Sequence, residues 1–300
     1  MKLFEENTNW YKVNLHTHTT NSDGRKTPEG AAALYKEHGY DMLAITDHRR
    51  VSVPTSEADG LILAGGIEFN CDSFRDAGSL ETWHIIGIGM PEGYAQKTPV
   101  IGGKGQELID EIKSAGGFAI LAHPAWSLNT TEHILSLKGL DAVEIWNTQS
   151  ALPYNPDRAD ASQVLDPVFS AGMLLPVIAS DDTHRYEKEA CVAATMVQTS
   201  DFSLAGILKA IKDGRSYATT GPVIKNIEAI DGIVTVTTAA PCTAACICTN
   251  HPWLHGSVDN APDDLGKCEF SLPIGEDTSF WRITVFDDNG RRAWTGPVKV

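Results

Sequence analysis

No stretch of the 300-residue sequence approaches the roughly 18 consecutive apolar residues of a membrane span. The opening Met1-Lys2-Leu3-Phe4-Glu5-Glu6 also lacks the apolar core of a signal peptide, so a cytoplasmic location is expected. Basic residues are scarce: 24 Lys and Arg stand against 39 Asp and Glu, for a formal net charge of -15. Sequence-independent grip on nucleic acid needs dense positive charge to displace counterions, so that class of function is set aside. Six scattered cysteines make no disulfide framework, and no internal repeat or low-complexity tract is present.

What is there is ordinary globular composition, 42% hydrophobic with 8% aromatic residues. The length suits one large α/β domain plus a smaller appendage. Apolar strand candidates at 42–45, 61–67, 84–89, 118–122, 142–146 and 174–179 alternate with helix candidates at 27–38, 107–115 and 159–171, with an amphipathic helix at 203–213. Continuous apolar strands between helices imply a parallel sheet covered on both faces, and the repetition favours a barrel. From about Pro222 the style changes. Asp231-Gly232 and Asn289-Gly290 are hairpin signals and no long helical pattern remains, so residues 1–221 are expected to form the barrel and 222–300 a small antiparallel β domain, sandwich-like, packed against it.

The chemistry concentrates at strand ends. His16-Thr17-His18 projects two imidazoles from one face of a strand, and Ser22-Asp23-Gly24 reads as a turn that can fold its carboxylate back towards them. Alone, that is equally a strand-end His pair beside an ordinary turn. Asp47-His48, Glu68, His84, His123, Asp181 and His184 each have a similarly plain reading taken singly. Their recurrence at nearly every strand end decides the matter, because parallel barrel strands bring such residues to one mouth. Imidazole and carboxylate together suit Zn, Mn or Fe.

These elements, His16-x-His18 with Ser22-Asp23-Gly24, Thr46-Asp47-His48, Gly66-Ile67-Glu68, His84, Ala122-His123-Pro124 and Ser180-Asp181-Asp182-Thr183-His184, resemble in order the polymerase and histidinol phosphatase (PHP) superfamily of metal-dependent phosphoesterases. The resemblance implies an α/β fold, a distorted (β/α)7 PHP barrel with a small C-terminal antiparallel β domain, and a trinuclear site of two to three divalent transition metal ions. It places one ion on His16, His18, Glu68 and Asp181, a second on Glu68, His84 and His123, and a third on Asp23, His48 and His184. Asp23 stands where some relatives carry histidine. Asp47 and Asp182 are expected to orient ligand imidazoles rather than to ligate.

On that assignment Glu68 bridges two ions whose shared hydroxide attacks phosphorus, with Glu68, Asp181 and His184 as the catalytic set and a small phosphate ester as substrate. Divalent ions over three carboxylates leave a locally cationic pocket in an acidic protein. Arg49, Arg50 and Arg185 follow ligand motifs and are candidate phosphate clamps, solvated rim arginines being the alternative. Trp126 and Trp146 either stack on an aromatic part of the substrate or pack. The segments 214–222 and 288–297 resemble the CehA/McbA-type metallohydrolase subgroup, which keeps a carbamate or carboxylic ester hydrolase in view. A non-catalytic metal-containing binding module is a further reading. Cys242, Cys246 and Cys248 with His251 and His255 match none of the common structural zinc spacings, and packing is the expectation there.

Overall fold

The computed structural model describes residues 1–4, 8–74, 80–153, 155, 157–263 and 265–300. The first part of the chain carries β1 (Trp10–Asn14), β2 (Met42–Ile45), β3 (Ser56–Ala58), β4 (Leu61–Phe74), β5 (Leu80–Ile88), β6 (Phe118–Leu121), β7 (Ala142–Asn147) and β8 (Val177–Ser180). Seven of these pair in the order β1-β2-β4-β5-β6-β7-β8, with β3 laid on β4. The ring is closed beyond the strand ends. Thr17 bridges Thr183 in parallel, His18 N donates to Thr183 O at 3.0 Å, and Asp182 N donates to His16 O at 3.0 Å. The seam of the barrel therefore runs through the histidine motif itself.

Helices α1 (Pro28–Glu37), α2 (Gly105–Ser114), α3 (Thr131–Leu135), α4 (Ser162–Ser170) and α5 (Leu204–Lys212) connect or flank the strands. Their ends follow local chemistry. Thr27 caps α1 through the Gly30 amide with Pro28 in the first turn, and Ser203 caps α5 through the Gly206 amide. Helix α4 starts later than expected because Asp160 takes the Ser162 amide instead. Two main cores cover the barrel: one packs α2 and α4 on β4 to β8, the other packs α5 near β1, β2 and β6. Burying each such Leu, Ile or Phe contributes about 1.5–3 kcal/mol before entropy.

The expected all-parallel sheet needs one correction. β1, β2 and β4 are parallel, as are β6, β7 and β8, but β5 runs antiparallel to both its neighbours. β4 is long and pairs antiparallel with β5 from Gly66–Ile88 through Phe74–Leu80. A reversed strand presents the start of its apolar run, not the end, to the barrel mouth, which is why His84 stands just ahead of Ile85–Ile88, opposite Asn70.

Strands β9 (Ala194–Gln198) and β10 (Ser216–Thr219) were not anticipated. They extend the sheet on the far side of β1. The remainder holds β11 (Ile224–Ile230), β12 (Ile233–Cys242), β13 (Ala244–Thr249), β14 (Val258–Asn260), β15 (Lys267–Pro273), β16 (Phe280–Phe286), β17 (Arg292–Thr295) and β18 (Val298–Lys299). β10 pairs β17, so one sheet runs across position 222, while β11-β12-β15 forms a second sheet. A shared apolar core that includes Phe4, Ile227, Val236, Phe270, Trp281 and Val285 holds the two sheets together. The start of the chain joins this region: Lys2 bridges Glu228 and Leu3 N donates to Ile227 O. Among the described residues no helix is long and apolar enough to cross a membrane.

Candidate metal centre

Glu68 is the hub of the barrel mouth. It lies three residues beyond the point where β4 pairs the end of β2, it is 1% exposed, and five imidazoles approach it. Its Oε1 is 2.7 Å from His84 Nδ1, 3.2 Å from His123 Nε2 and 3.5 Å from His16 Nε2. Its Oε2 is 3.2 Å from His18 Nε2 and 3.1 Å from His48 Nδ1. A carboxylate addressed on both oxygens by separate imidazole sets is arranged to bridge cations.

Asp23 gathers a second set. Its carboxylate lies 3.5 Å from His18 Nδ1, 3.6 Å from His48 Nε2 and 3.5 Å from His184 Nε2. The turn that delivers it is tied by Ser22 N and Gly24 N, both donating to Thr19 O. A Cβ on Gly24 would collide with the His18 carbonyl, so only glycine allows this return. Asp47 braces the same loop through Thr19 N and Oγ1, Ser22 Oγ and Ser52 Oγ. It acts on the loop, not on a ring as expected.

The two neighbouring aspartates exchange the expected roles. Asp181, expected as a ligand, is fully buried and turned away from the mouth. It accepts from Asn14 Nδ2 (2.9 Å), Tyr35 OH (2.8 Å), Thr148 Oγ1 (3.1 Å) and the amides of Cys191, Val192 and Ala193 (2.8, 3.2 and 2.7 Å). Asp182, expected only to orient a ring, puts Oδ1 3.2 Å from Nε2 of both His16 and His18. Asp182 has φ of 53°, in the left-handed region, and this reversal aims the second carboxylate at the mouth. Arg49 (64°) and His123 (26°) share that unusual sign, so strained backbone clusters at the site.

Partners behind the rings leave the inward nitrogens for ligands. His16 Nδ1 meets Glu144 Oε1 at 2.9 Å, His123 Nδ1 meets Ser127 Oγ at 3.1 Å, and His184 Nδ1 meets the Asp182 carbonyl at 2.8 Å. Glu144 also accepts from the His123 amide (2.7 Å), Asn147 Nδ2 (3.0 Å) and Ser180 Oγ. The sequence reading passed over Glu144. Its signal was a lone acid at the centre of the apolar strand Ala142–Trp146, affordable only with a full set of donors. Glu144→Gln is expected to weaken metal affinity by about 10–100-fold, read by competitive metal titration.

The donor set fits metal ions. Asp182 Oδ1 and His48 Nδ1 are buried side-chain atoms with no hydrogen-bond partner, and His16 Nε2 faces His18 Nε2 at 3.2 Å. Four overlapping groups have ligand atoms within 4.8 Å of one another: His18, Asp23, His48 and His184; His16, His18 and Glu68; His16, His123 and Asp182; Glu68, His84 and His123. Without ions the carboxylates hold protons on the rings. Burial lowers the pKa of His18, but Asp182 and Glu68 outweigh it and push it up to about 9. His16 is raised in the same way against burial, by Asp182 and Glu144. Glu68 is held far below the usual carboxylate range, burial being outweighed by His84 and His48. A metal must displace those protons, so loading at pH 7 should release protons, and affinity should climb with pH until about 9. A pH indicator that detects no release on metal addition would contradict this.

A cavity of about 200 Å³ opens onto the cluster, lined by Asp23, His48, Glu68, His84, His123, Trp126, Gln149, Asp182 and His184. Trp126 stands edge-on to His123 and His84, with ring centroids 5.0 and 5.7 Å away. Trp146 instead stacks on Trp294 in the core. Arg49, Arg50 and Arg185 are exposed and do not line the cavity. Gln149, also unanticipated, reaches His184 Nδ1 at 3.3 Å.

No family model matches the chain. A phosphoribosyl 1,2-cyclic phosphate 1,2-diphosphodiesterase from Eggerthella lenta is 32% identical over 84 residues, which cover 26% of this chain and 31% of that protein. The chain thus aligns with about a third of the length of the curated relative it matches. A two-domain protein from Bacteroides vulgatus, containing a predicted PHP-like metal-dependent phosphoesterase, superposes with a TM-score of 0.54 at 15% identity, covering 98% of this chain and 96% of that one. The two share a fold over nearly their whole lengths. An amidohydrolase from Chromobacterium violaceum gives a TM-score of 0.43 at 15% identity, covering 59% of this chain and 89% of that one.

Proposed function

We propose that this chain, with its PHP-type barrel and appended β domain, is a metal-dependent phosphoesterase that hydrolyses a small phosphate ester. One observation carries the reading: five imidazoles converge on the two oxygens of Glu68 at the barrel mouth. The match to a diphosphodiesterase acting on a cyclic phosphate supports the substrate class. Two to three divalent ions would be held by His16, His18, Glu68 and Asp182, by Glu68, His84 and His123, and by Asp23, His48 and His184, with Zn, Mn and Fe all compatible with these donors. When bound, such ions lower the pKa of water towards neutrality and offset charge on a phosphoryl group.

The protein's own residues supply the rest. Glu144 and Ser127 fix the tautomers and planes of His16 and His123, so each ring offers Nε2 inward. Asp47 holds the Thr19–Ser22 loop and with it the position of Asp23. Trp126 forms an apolar wall beside His84 and His123, and Gln149 offers an amide at the rim. A cavity of about 200 Å³ admits a phosphoryl group with a small leaving group.

A second reading, hydrolysis of a carbamate or carboxylic ester at the same site, draws on a different observation. Among the described residues no Lys or Arg lines the cavity, so nothing but the ions would meet a dianion. A matched panel of aryl phosphates and aryl carbamates separates the two. Phosphatase turnover that is lost on chelation and restored by added metal is the expected result. Carbamate turnover alone favours the second reading, and a purified chain that binds no divalent metal overturns both.

A further inference from the structure

A cavity of about 660 Å³ lies away from the metal centre. It lies where α4 of the barrel meets β13, and on its floor sit Cys246 and Cys248. The same two residues also line a second cavity of about 390 Å³, so both are reachable by small solutes. Two residues apart on one strand, they point to the same face, which sets their thiols side by side.

The neighbouring strand brings a cation to the pair. In the β13–β16 register Cys248 lies opposite Arg282 and Cys246 opposite Thr284. Arg282 is 2% exposed and its guanidinium is fixed by a two-pronged contact with Asp166 of α4, Nε to Oδ1 at 2.6 Å and Nη2 to Oδ2 at 2.7 Å, with Nη1 on Thr284 Oγ1 at 2.8 Å. A buried, immobilised guanidinium beside a thiol pair favours a thiolate. We propose that Cys246 and Cys248 form a peroxide-reactive dithiol, a modification site separate from the metal centre, in which one sulfur attacks and the other resolves.

The electrostatics favour Cys246 as the attacking sulfur. The hydrogen bond from Cys248, then Arg282, outweighs burial and brings the Cys246 thiol down to about 7. Cys248, which donates that bond, is raised. The Cys246 thiolate attacks one oxygen of a hydroperoxide. The S–O bond forms, the O–O bond breaks, and the departing hydroxide takes a proton to leave as water. Cys248 then gives up its proton and attacks the sulfenic sulfur; the S–S bond forms, the S–O bond breaks, and a second water leaves. The pair loses two electrons to the peroxide. Two residues of strand span about 6.6 Å, and side chains projecting in parallel keep their Cβ atoms beyond the roughly 3.5–4.5 Å of an unstrained disulfide, so the bridge must bend β13 locally and is readily reduced.

Cys268 is the internal control, because it is the exposed cysteine of the chain whereas Cys246 and Cys248 are half-buried. The zinc-loaded full chain is treated with hydrogen peroxide and each cysteine is mapped by mass spectrometry over time. Cys246 is expected to oxidise about fivefold or more faster than Cys268, to end in a bond with Cys248, and to return to thiol with dithiothreitol. In Cys248→Ser, dimedone should trap a sulfenic acid at Cys246. Oxidation of Cys268 first or at an equal rate overturns the proposal, as does a Cys248→Ser chain in which dimedone leaves Cys246 unlabelled.

Discussion

Glu68→Gln lowers turnover by roughly 10²–10³-fold or more and reduces the metal held per chain, while circular dichroism stays that of the wild type. The substitution keeps the shape of a side chain that is 1% exposed, so the fold has little to lose. What it removes is the one carboxylate that His16, His18, His48, His84 and His123 all approach. A neutral amide cannot bridge cations, and its NH₂ group would face imidazole nitrogens meant for ligation. Metal content and turnover should fall together. Unchanged activity in this variant would remove the site assignment and the proposed function with it.

The second large effect separates neighbours. Asp182→Asn should cost turnover on the same scale, about 10²–10³-fold, with near-normal thermal stability, because Oδ1 of Asp182 faces the ligand imidazoles His16 and His18 and no backbone amide. Asp181→Asn should do the reverse. Its carboxylate collects three side-chain donors and three amides, and an NH₂ in place of one oxygen confronts donors with a donor. A loss of about 1–3 kcal/mol for each stranded group follows, read as a lower melting temperature with metal affinity largely kept. A variant pair with the opposite pattern would restore Asp181 as the ligand.

The aspartate pair shows where sequence reading reached its limit. Asp181-Asp182-Thr183-His184 marks a ligand motif, but which carboxylate faces the ions depends on a backbone reversal at Asp182, and an Asp tolerates φ above zero without advertising it. The histidines were legible because each stands at one end of a short apolar run, and such runs are readable from the sequence. Glu144 was not, since a residue that contacts no ligand leaves no spacing pattern. Nor was the reversal of β5, because its apolar run Ile85–Ile88 reads the same in either direction. β9 and β10 were missed for a related reason: Ala194–Gln198 and Ser216–Thr219 are short, rich in Thr and Ala, and owe their pairing to β1 and β17 more than to their own pattern.

The strand pairing made by Met1 to Leu3 also bears on how the chain assembles. The terminal ammonium and Ala229 are 228 positions apart, and every barrel strand lies between them. On a ribosome, the first residues emerge long before β11 exists, so they wait as an unpaired edge while the barrel is made. Closing so long a loop is slow. Assembly should therefore end with a slow phase, visible as late burial of Trp10, which packs with Phe4 and Tyr217.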